Sequence, residues 1–315
     1  MTAPDARAGG AARPSAPLRW SDAVFAAQRD GRPVVALESS VLAQGLPVPA
    51  NREADARMRA AVEARGAVPA ITAIVRGHVT IGLDGDDLER FLRREGVGKV
   101  TARDLPVAAV RGADGATTVA ATLACCALAR LDVFATGGIG GVHREPAFDE
   151  SADLAELART SAVVVCAGAK SILDLPATLE RLESLGVTLL GYRTDEFPGF
   201  FTARTGLAVP ARVESPAEVA DVLRQARTLG RPGAVLVVQP PPAEQALDSD
   251  VVAEAVEQAL ALARAAGVRG AAVTPFLLAA VERATHGRSL AANLALLESN
   301  AGLAAEVAVA LSAPP

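Results

Sequence analysis

Short apolar runs alternate with segments of helical spacing along much of the chain. Each apolar run is bounded by polar or glycine residues, which predicts a buried strand. The runs cover 33–37, 131–136, 162–168, 187–192 and 233–239. The segments of helical spacing that separate the later runs cover 151–160, 176–185 and 216–230. Because a helix between two strands serves as a crossover, we expect these strands to be parallel.

The two ends of the chain have a different pattern. Arg76-Gly77 separates two apolar segments, 70–75 and 78–81, and predicts the turn of a β-hairpin. The other elements predicted in these regions are helices, one of which opens within 114–122 and runs to Arg130. The remaining predicted helices cover 21–29, 48–65, 86–94, 249–265, 276–285 and 290–311.

Composition and charge exclude several classes of protein. The 315 residues are 50% apolar and carry a formal net charge of −5. The basic residues form no stripe interleaved with aromatic ones, so we expect no nucleic-acid partner. No uninterrupted apolar run reaches the ~18 residues of a membrane span, so we expect no membrane association. We expect a disordered leader at 1–18 and one domain at 19–315.

Several familiar catalytic and metal-binding motifs are missing from the sequence. Cys125, Cys126 and Cys166 have no metal-ligand spacing, and reduced thiols of this kind fit a cytoplasmic protein. There is no H-E-x-x-H, no G-x-S-x-G, no P-loop and no G-x-G-x-x-G. Zinc-hydrolase, serine-hydrolase, P-loop and dinucleotide-binding functions therefore lose their usual support.

A glycine-rich loop is the most informative segment of the chain. The strand predicted at 131–136 runs into Gly137-Gly138-Ile139-Gly140-Gly141, followed by Val142 and His143. Glycines let backbone amides approach a ligand closely, which predicts a cradle for an anion or a sugar phosphate. The threonines of 114–122 open a helix, where free amides also favour an anion. His143 could donate to a phosphate, although a generic loop histidine is equally compatible with the sequence.

The lysines are unusually few. Lys99 and Lys170 are the only lysines among the 31 basic residues, so a charge that arginine could supply is not the reason for their presence. Lys170 follows the strand predicted at 162–168, at the edge where α/β sheets place ligands. An amine at that edge can attack a carbonyl, and a solvated loop lysine is the alternative.

Three carboxylates are further candidates. Asp149 and Asp153 flank the predicted start of a helix, with Ser151 as its N-cap. Acidic residues there are ordinary capping chemistry, or Asp149 binds a hard divalent cation while Ser151 and Asp153 hydrogen-bond a substrate. Glu38 ends the first apolar run, where it is either a general acid or a solvated residue at a strand end.

Many separate motifs, in order from Pro33 to the C-terminus, resemble the pseudouridine-5′-phosphate glycosidases of the indigoidine synthase A-like group. They are Ala36-Leu37-Glu38-Ser39-Ser40, Gly45-Leu46-Pro47, Arg103-Asp104-Leu105-Pro106, 115–122, 136–144, Ser151-Ala152-Asp153-Leu154, 166–174, Thr194-Asp195-Glu196-Phe197-Pro198 and Thr274-Pro275-Phe276-Leu277-Leu278. The resemblance implies a three-layer α/β/α sandwich with a central mixed, largely parallel sheet, and a homotrimer with one Mn²⁺ per subunit.

The resemblance also implies an activity, which is the reversible cleavage of pseudouridine 5′-phosphate to uracil and ribose 5-phosphate, in the carbon-oxygen hydro-lyase class. Glu38 would be the proton donor and Lys170 the nucleophile that forms an imine. Asp149 would be the metal ligand. The substrate contacts would be Lys99, Val119, His143, Ser151, Ala152, Asp153 and Asn293. The alternatives are a Schiff-base aldolase or other sugar-phosphate lyase, and a sugar-kinase-like phosphotransferase.

Overall fold

The structure, a computed structural model, describes residues 18–145, 148–268 and 273–313. The predicted leader lies outside the described residues except for Leu18, which begins the first strand. The strands are β1 (Leu18–Trp20), β2 (Val34–Glu38), β3 (Val68–Val75), β4 (His78–Ile81), β5 (Gly98–Val100), β6 (Gly115–Thr117), β7 (Val133–Ala135), β8 (Val142–His143), β9 (Val163–Cys166), β10 (Leu173–Asp174), β11 (Thr188–Tyr192), β12 (Arg212–Val213) and β13 (Val235–Val238).

The central sheet is mixed and mostly parallel. Its main path is β1-β4-β3-β2-β7-β9-β13-β11-β12, and β6 pairs with both β3 and β5. Every pair from β3-β2 to β11-β12 is parallel, which confirms the crossover prediction. The antiparallel pairs are β3-β4 and β3-β6. Within the described residues, β8 and β10 form a separate antiparallel pair.

The hairpin predicted around Arg76-Gly77 is present. Both residues have positive φ, +48° and +81°, which matches the right-handed twist of the flanking strands β3 and β4. A side chain at position 77 would also clash, because its Cβ would lie 2.6 Å from the carbonyl oxygen of Ala109. Glycine is therefore required at this turn by both its conformation and its surroundings.

Helices cover both faces of the sheet. They are α1 (Asp22–Arg29), α2 (Ala50–Glu63), α3 (Gly85–Leu92), α4 (Leu105–Val110), α5 (Val119–Ala129), α6 (Ala152–Leu157), α7 (Leu175–Ser184), α8 (Pro216–Thr228), α9 (Ser249–Ala265), α10 (Val273–Ala284) and α11 (Arg288–Ser312). The last helix, α11, packs on α2 and α8 as well as on β2, β7 and β9, whereas α5 packs on α6 and on β2, β3, β4, β6 and β7. The expected α/β/α architecture is confirmed.

The helix α11 is the longest element and the centre of one layer. Its length and composition would suffice to cross a membrane, but 61% of its most apolar window is buried inside the protein. It has so little amphipathic character because strands, α2 and α8 surround it. The apolar composition of α11 is therefore explained by its place in the core.

One predicted boundary is wrong. The segment 114–122 does not open a helix directly, because Gly115–Thr117 forms β6 and α5 begins only at Val119. Thr118 is the N-cap of α5, and its hydroxyl accepts a hydrogen bond from the amide of Ala121. The prediction failed because three strand residues give too short an apolar pattern to detect beside an Ala-rich helix.

Candidate active site

The carboxyl ends of parallel strands bring the predicted catalytic residues to one edge of the sheet. Glu38 is the last residue of β2, and β7 leads directly into the glycine loop. The strand β9 ends shortly before Lys170. Because β2, β7 and β9 are parallel neighbours, their following segments meet at the same edge. Lys99 reaches this site from β5.

Two adjoining cavities, of about 560 and 550 Å³, meet at this edge. Glu38, Ser40, Lys99, Lys170 and Thr274 line both, so these residues form the junction. The apolar half is lined in addition by Val41, Gln44, Gly45, Gly137, Gly138, Phe200, Pro275, Leu278 and Asn293. The polar half is lined in addition by Thr101, Thr118, Val119, Gly140, His143, Ser151, Ala152, Asp153 and Leu173.

The predicted site residues are therefore brought together. The two halves of the cavity contain each of them except Asp149, which lies next to the polar half. Asn293 is separated from the other predicted residues by more than 100 positions in sequence, yet it lines the apolar half. Whether each residue performs its predicted role stays a prediction.

Glu38 is held in place by hydroxyl groups. The residue is 7% exposed, and its two carboxylate oxygens accept hydrogen bonds from the hydroxyls of Ser40 and Thr136. Thr136 belongs to the glycine loop, so this contact joins the ends of β2 and β7. A buried carboxylate with one donor on each oxygen has a fixed position at the cavity wall.

A cluster of buried hydroxyls supports the same strand ends. The hydroxyl of Thr117 lies 2.8 Å from that of Thr72, 3.1 Å from that of Thr122 and 3.2 Å from that of Ser39. The amide of Thr117 also donates to the Ser39 oxygen at 2.9 Å. These contacts cross-link β2, β3, β6 and α5 directly beside Glu38. Fully paired polar clusters of this kind rigidify the backbone around a site.

The turn that carries Lys170 depends on Gly168. Gly168 has a φ of +83°, and a Cβ at this position would lie 2.0 Å from the carbonyl oxygen of Pro198. The amide of Lys170 donates to the carbonyl of Ile139 at 3.1 Å, which anchors the turn to the glycine loop. The backbone of Lys170 is thus fixed while its half-buried side chain reaches the cavity.

The second lysine has a perturbed charge. Partial burial of the Lys99 ammonium, assisted by the positive charge of Lys170, lowers its pKa from the usual 10.5. The carboxylates of Glu38 and Asp153 act in the opposite direction and are outweighed. The ammonium groups of Lys99 and Lys170 therefore repel one another. This repulsion favours the binding of an anion between them or the loss of a proton from one of them.

Asp153 joins two backbone segments of the polar half. It is 6% exposed, and its carboxylate accepts from the amide of Ala120 at 2.9 Å and from that of Gly140 at 2.8 Å. The first amide belongs to α5 and the second to the glycine loop. Ser151 caps α6 by accepting from the amide of Asp153 at 3.2 Å. Both the capping interpretation and the cavity-lining position predicted for this segment are present.

The glycine loop is shaped by close packing. A Cβ at Gly140 would lie 2.3 Å from the Ser151 hydroxyl oxygen, and one at Gly138 would lie 2.5 Å from the ring of Phe200. Several loop amides already have protein acceptors, since Ile139 donates to the carbonyl of Gly168 and Gly140 donates to Asp153. The need for glycine at these positions thus has a packing reason, and the anion cradle stays a prediction.

The segment around Asp149 pairs with the end of the glycine loop. The amide of His143 donates to the carbonyl of Asp149 at 2.9 Å, and the amide of Ser151 donates to the carbonyl of Gly141 at 2.9 Å. His143 and Asp149 are therefore opposite one another on the same face of a short antiparallel pair. Burial lowers the pKa of His143 from 6.5, and the Asp149 carboxylate opposes that shift only in part.

Whether Asp149 binds a metal ion stays a prediction. Among the residues that the structure describes, no three His, Cys, Asp or Glu side chains are grouped so that they could hold a metal ion by themselves. A hard divalent cation at Asp149 would thus complete its shell with water and substrate oxygens, as Mg²⁺ and similar ions do. The lowered pKa of His143 favours its neutral form, which does not repel a cation.

Some cavity residues were missed by the sequence reasoning. Gln44 lines the apolar half, and Thr136 bonds Glu38. Gln44 stands beside the Gly45-Leu46-Pro47 motif, and this proximity was the available signal. The cysteines, by contrast, are all buried, and burial raises the pKa of Cys166 to about 12, which suits a core residue.

The fold and the cavity define an α/β protein with a buried carboxylate and two lysines at the carboxyl edge of its sheet. The family model described as indigoidine synthase A-like protein matches residues 23–310. The chain therefore belongs to the indigoidine synthase A-like family, as its motifs predict.

Relatives with assigned names agree with this placement. The chain is 63% identical to the pseudouridine-5′-phosphate glycosidase of Gemmatimonas aurantiaca, in a match covering 93% of this chain and 96% of that protein. It is 52% identical to the pseudouridine-5′-phosphate glycosidase of Herpetosiphon aurantiacus, in a match covering 91% of this chain and 96% of that protein.

Solved structures share the fold. The prealnumycin C-glycosynthase AlnA, in complex with ribulose 5-phosphate, aligns with a TM-score of 0.87 and 39% identity, over 94% of this chain and 97% of that one. An indigoidine synthase A-like protein from Thermotoga maritima aligns with a TM-score of 0.88 and 35% identity, over 97% of this chain and 100% of that one.

Proposed function

We propose that this protein is a pseudouridine-5′-phosphate glycosidase, which reversibly cleaves the carbon-carbon glycosidic bond of pseudouridine 5′-phosphate to uracil and ribose 5-phosphate. The observation that carries the proposal is the junction of Glu38 and Lys170 between a polar and an apolar half-cavity. The named relatives and the sugar-phosphate complex of AlnA support the same activity.

A carbon-carbon glycoside requires a nucleophile such as Lys170. An ordinary glycosidase protonates the heteroatom of its leaving group with one of two carboxylates. Pseudouridine offers no such atom, because ribose C1′ is bonded to a ring carbon of uracil. An amine that bonds C1′ provides an electron pair able to expel that carbon, and this is covalent catalysis by lysine.

The proposed sequence of steps balances protons and bonds. The C1′–O4′ bond opens as Glu38 donates a proton to O4′, and the neutral amine of Lys170 becomes bonded to C1′. Glu38 takes a proton back from the resulting ammonium adduct and passes it to the uracil carbon, so that the bond from this carbon to C1′ breaks while the nitrogen electron pair forms a protonated imine. Water adds to the imine and releases ribose 5-phosphate, and the proton set free returns to Glu38, which restores both Glu38 and the neutral amine of Lys170.

The polar half suits the sugar phosphate. Lys99, His143, Ser151 and Asp153 line it together with Thr118, the N-cap of α5. We propose that Lys99 contacts the phosphate and that Val119 and the segment 151–153 contact the sugar phosphate through backbone and hydroxyl groups. Asp149 would hold a Mn²⁺ ion there, and the ion would supply positive charge that offsets the phosphate.

The assembly and location belong to the proposal as well. We propose a homotrimer in the cytoplasm, with the cysteines reduced. Cys125, Cys126 and Cys166 are all buried and free, which fits a reducing compartment. Light scattering of the purified protein gives the subunit number directly.

The activity is tested in the direction of synthesis. Uracil, ribose 5-phosphate and Mn²⁺ should yield a product that gains the sugar-phosphate mass and keeps uracil absorbance, with an NMR coupling between C1′ and the uracil ring carbon. Uridine 5′-phosphate, which is linked through nitrogen, is the matched control and should not be cleaved. Fragmentation of ribose 5-phosphate without uracil would point to an aldolase, and phosphate transfer from a nucleotide would point to a kinase.

A further inference from the structure

The apolar half of the cavity has two amide oxygens with no hydrogen-bond donor. Within the part of the chain that the structure describes, Gln44 Oε1 and Asn293 Oδ1 are buried and have no partner. Both side chains line the apolar half of the cavity. Buried acceptors without donors are rare in folded proteins and need an explanation. A bound ligand that donates to both oxygens would provide one.

The orientation of the Gln44 amide is fixed. Its Nε2 donates to the carbonyl of Val97 at 3.3 Å, so the other branch of the amide must be the oxygen. Gln44 therefore offers the cavity an acceptor only. It belongs to a single π-helical turn, Val41–Gly45, which begins shortly after Glu38. Turns of this type are frequent at functional sites.

The rest of the apolar half is lined mainly by apolar side chains and by glycines. Its walls are the side chains of Val41, Phe200, Pro275 and Leu278, and the glycine loop contributes positions without side chains. Such walls exclude water from the edge of a planar base and leave its polar groups dependent on the protein. The unpaired amide oxygens of Gln44 and Asn293 are the groups that could accept a hydrogen bond from a ring N–H.

Uracil linked through carbon differs from uracil linked through nitrogen by one donor. In pseudouridine both N1 and N3 carry hydrogen, and the two N–H groups flank the axis that runs through the glycosidic carbon. In uridine N1 is bonded to the sugar, and only N3 carries hydrogen. A site with two acceptors therefore pairs with both N–H groups of the carbon-linked base, whereas the nitrogen-linked base leaves one acceptor unpaired.

We propose that Gln44 is a base-specificity residue, whose amide oxygen accepts one ring N–H of uracil while the amide oxygen of Asn293 accepts the other. This inference rests on the proposed function. A site whose polar groups are satisfied only by the correct ligand rejects an analogue that lacks the donor, because a buried acceptor is then left unpaired.

The test uses methylated substrates with side-chain variants. The value of kcat/KM is measured for pseudouridine 5′-phosphate and for its N1-methyl and N3-methyl analogues. The wild-type protein should prefer the parent to each analogue by at least about tenfold. Gln44→Met should lower kcat/KM for the parent and lose the preference against one analogue only. Asn293→Leu should lose the preference against the other.

A matched control distinguishes a loss of base recognition from a general loss of structure or activity. Gln28 is also a half-buried glutamine whose Nε2 donates to a backbone carbonyl, that of Ala129 at 3.2 Å, but it lies outside the cavity. Gln28→Met should keep both preferences. If one of the variants Gln44→Met and Asn293→Leu does not fold, the other still shows whether the loss of one acceptor abolishes the preference against one methylated analogue only.

Several results would overturn the inference. If the wild-type protein cleaves the parent but accepts both analogues equally well, the bases are not read through their N–H groups. If Gln44→Met keeps both preferences, or loses both together, Gln44 does not read one donor. If the wild-type protein does not cleave the parent at all, it is the proposed function that fails, and the base-reading role is lost with it.

Discussion

The polar and apolar halves of the cavity are built in opposite ways. In the polar half, Asp153 and Ser151 already bond backbone amides of α5, α6 and the glycine loop. In the apolar half, Gln44 and Asn293 keep oxygens without donors among the described residues. The first half is thus organised before a ligand arrives, whereas the second is completed by its ligand. Preorganisation suits a charged sugar phosphate and unsatisfied acceptors suit a flat base.

The largest effect should come from the junction between the halves. Lys170→Arg keeps a positive charge, but a guanidinium stays protonated and cannot form the imine. We expect a folded protein with kcat lowered by at least about 10³-fold, because removal of a nucleophile has effects of this size or larger. Borohydride with ribose 5-phosphate should reduce the imine and leave a mass adduct on the peptide of Lys170 in the wild-type protein.

Lys99→Arg is the matched control for that experiment. It alters the other lysine of the junction, so the adduct should persist on Lys170. An adduct on Lys99 in the wild-type protein would exchange the roles of the two lysines. Substantial turnover by Lys170→Arg would remove imine formation at this position from the mechanism.

Removal of the substrate phosphate should have the next largest effect, and it addresses the polar half alone. The nucleoside pseudouridine should have a kcat/KM at least about 10²-fold below that of its 5′-phosphate, because phosphate binding orients C1′ against Lys170. Steady-state kinetics with both compounds measures this ratio. Equal values would mean that the polar half does not bind the phosphate.

Removal of the metal should lower activity less than removal of the substrate phosphate does. Chelation should lower activity by about tenfold or more, and Mn²⁺ should restore it, while Asp149→Asn should respond to neither. Binding of Mn²⁺ can also be followed by its electron paramagnetic resonance signal, independently of activity. Glu150→Gln, at the neighbouring residue whose carboxylate pairs with Arg181 at 2.9 Å, should keep the response. Unchanged activity after exhaustive chelation would exclude a metal role.

Thr136→Val tests the support of Glu38. It removes the hydroxyl that bonds one carboxylate oxygen and keeps the β-branched shape. We expect kcat to fall by about tenfold with KM nearly unchanged, because a misplaced acid affects the chemical step more than binding. Thr72→Val, in the buried cluster without contact to Glu38, is the comparison. A change in KM alone would indicate that Thr136 acts on substrate binding instead.

The sequence predicted the sheet edge better than the details of either half. The parallel strands and Lys170 followed from apolar runs and crossover helices, and these depend on local pattern. The strand β6 was missed because only three residues form it. The apolar half was predicted only in part, because Phe200, Pro275 and Gln44 come from distant segments and meet only through the tertiary fold.

The glycines of the glycine loop are explained by packing as well as by the predicted binding of an anion. Four glycines at 137–141 predicted amides free to bind an anion, but the structure places Ser151, Thr178 and Phe200 against these positions. Sequence alone cannot separate a glycine that admits a ligand from one that admits a neighbouring side chain. The role of Asp153 was similarly hidden, since its partners Ala120 and Gly140 are backbone amides.

The smallest effect should be a pH dependence of substrate binding through Lys99. Its pKa lies below 10.5, so the free protein loses this positive charge at a lower pH than an ordinary lysine would. As pH rises through that pKa, the phosphate loses a cationic partner, and KM should rise by up to about tenfold per pH unit. Lys99→Arg keeps its charge throughout this range, so its KM should not depend on pH in this range. A KM that rises equally in both proteins would assign the titration to another group, and a flat KM in the wild-type protein would place the Lys99 ammonium away from the phosphate.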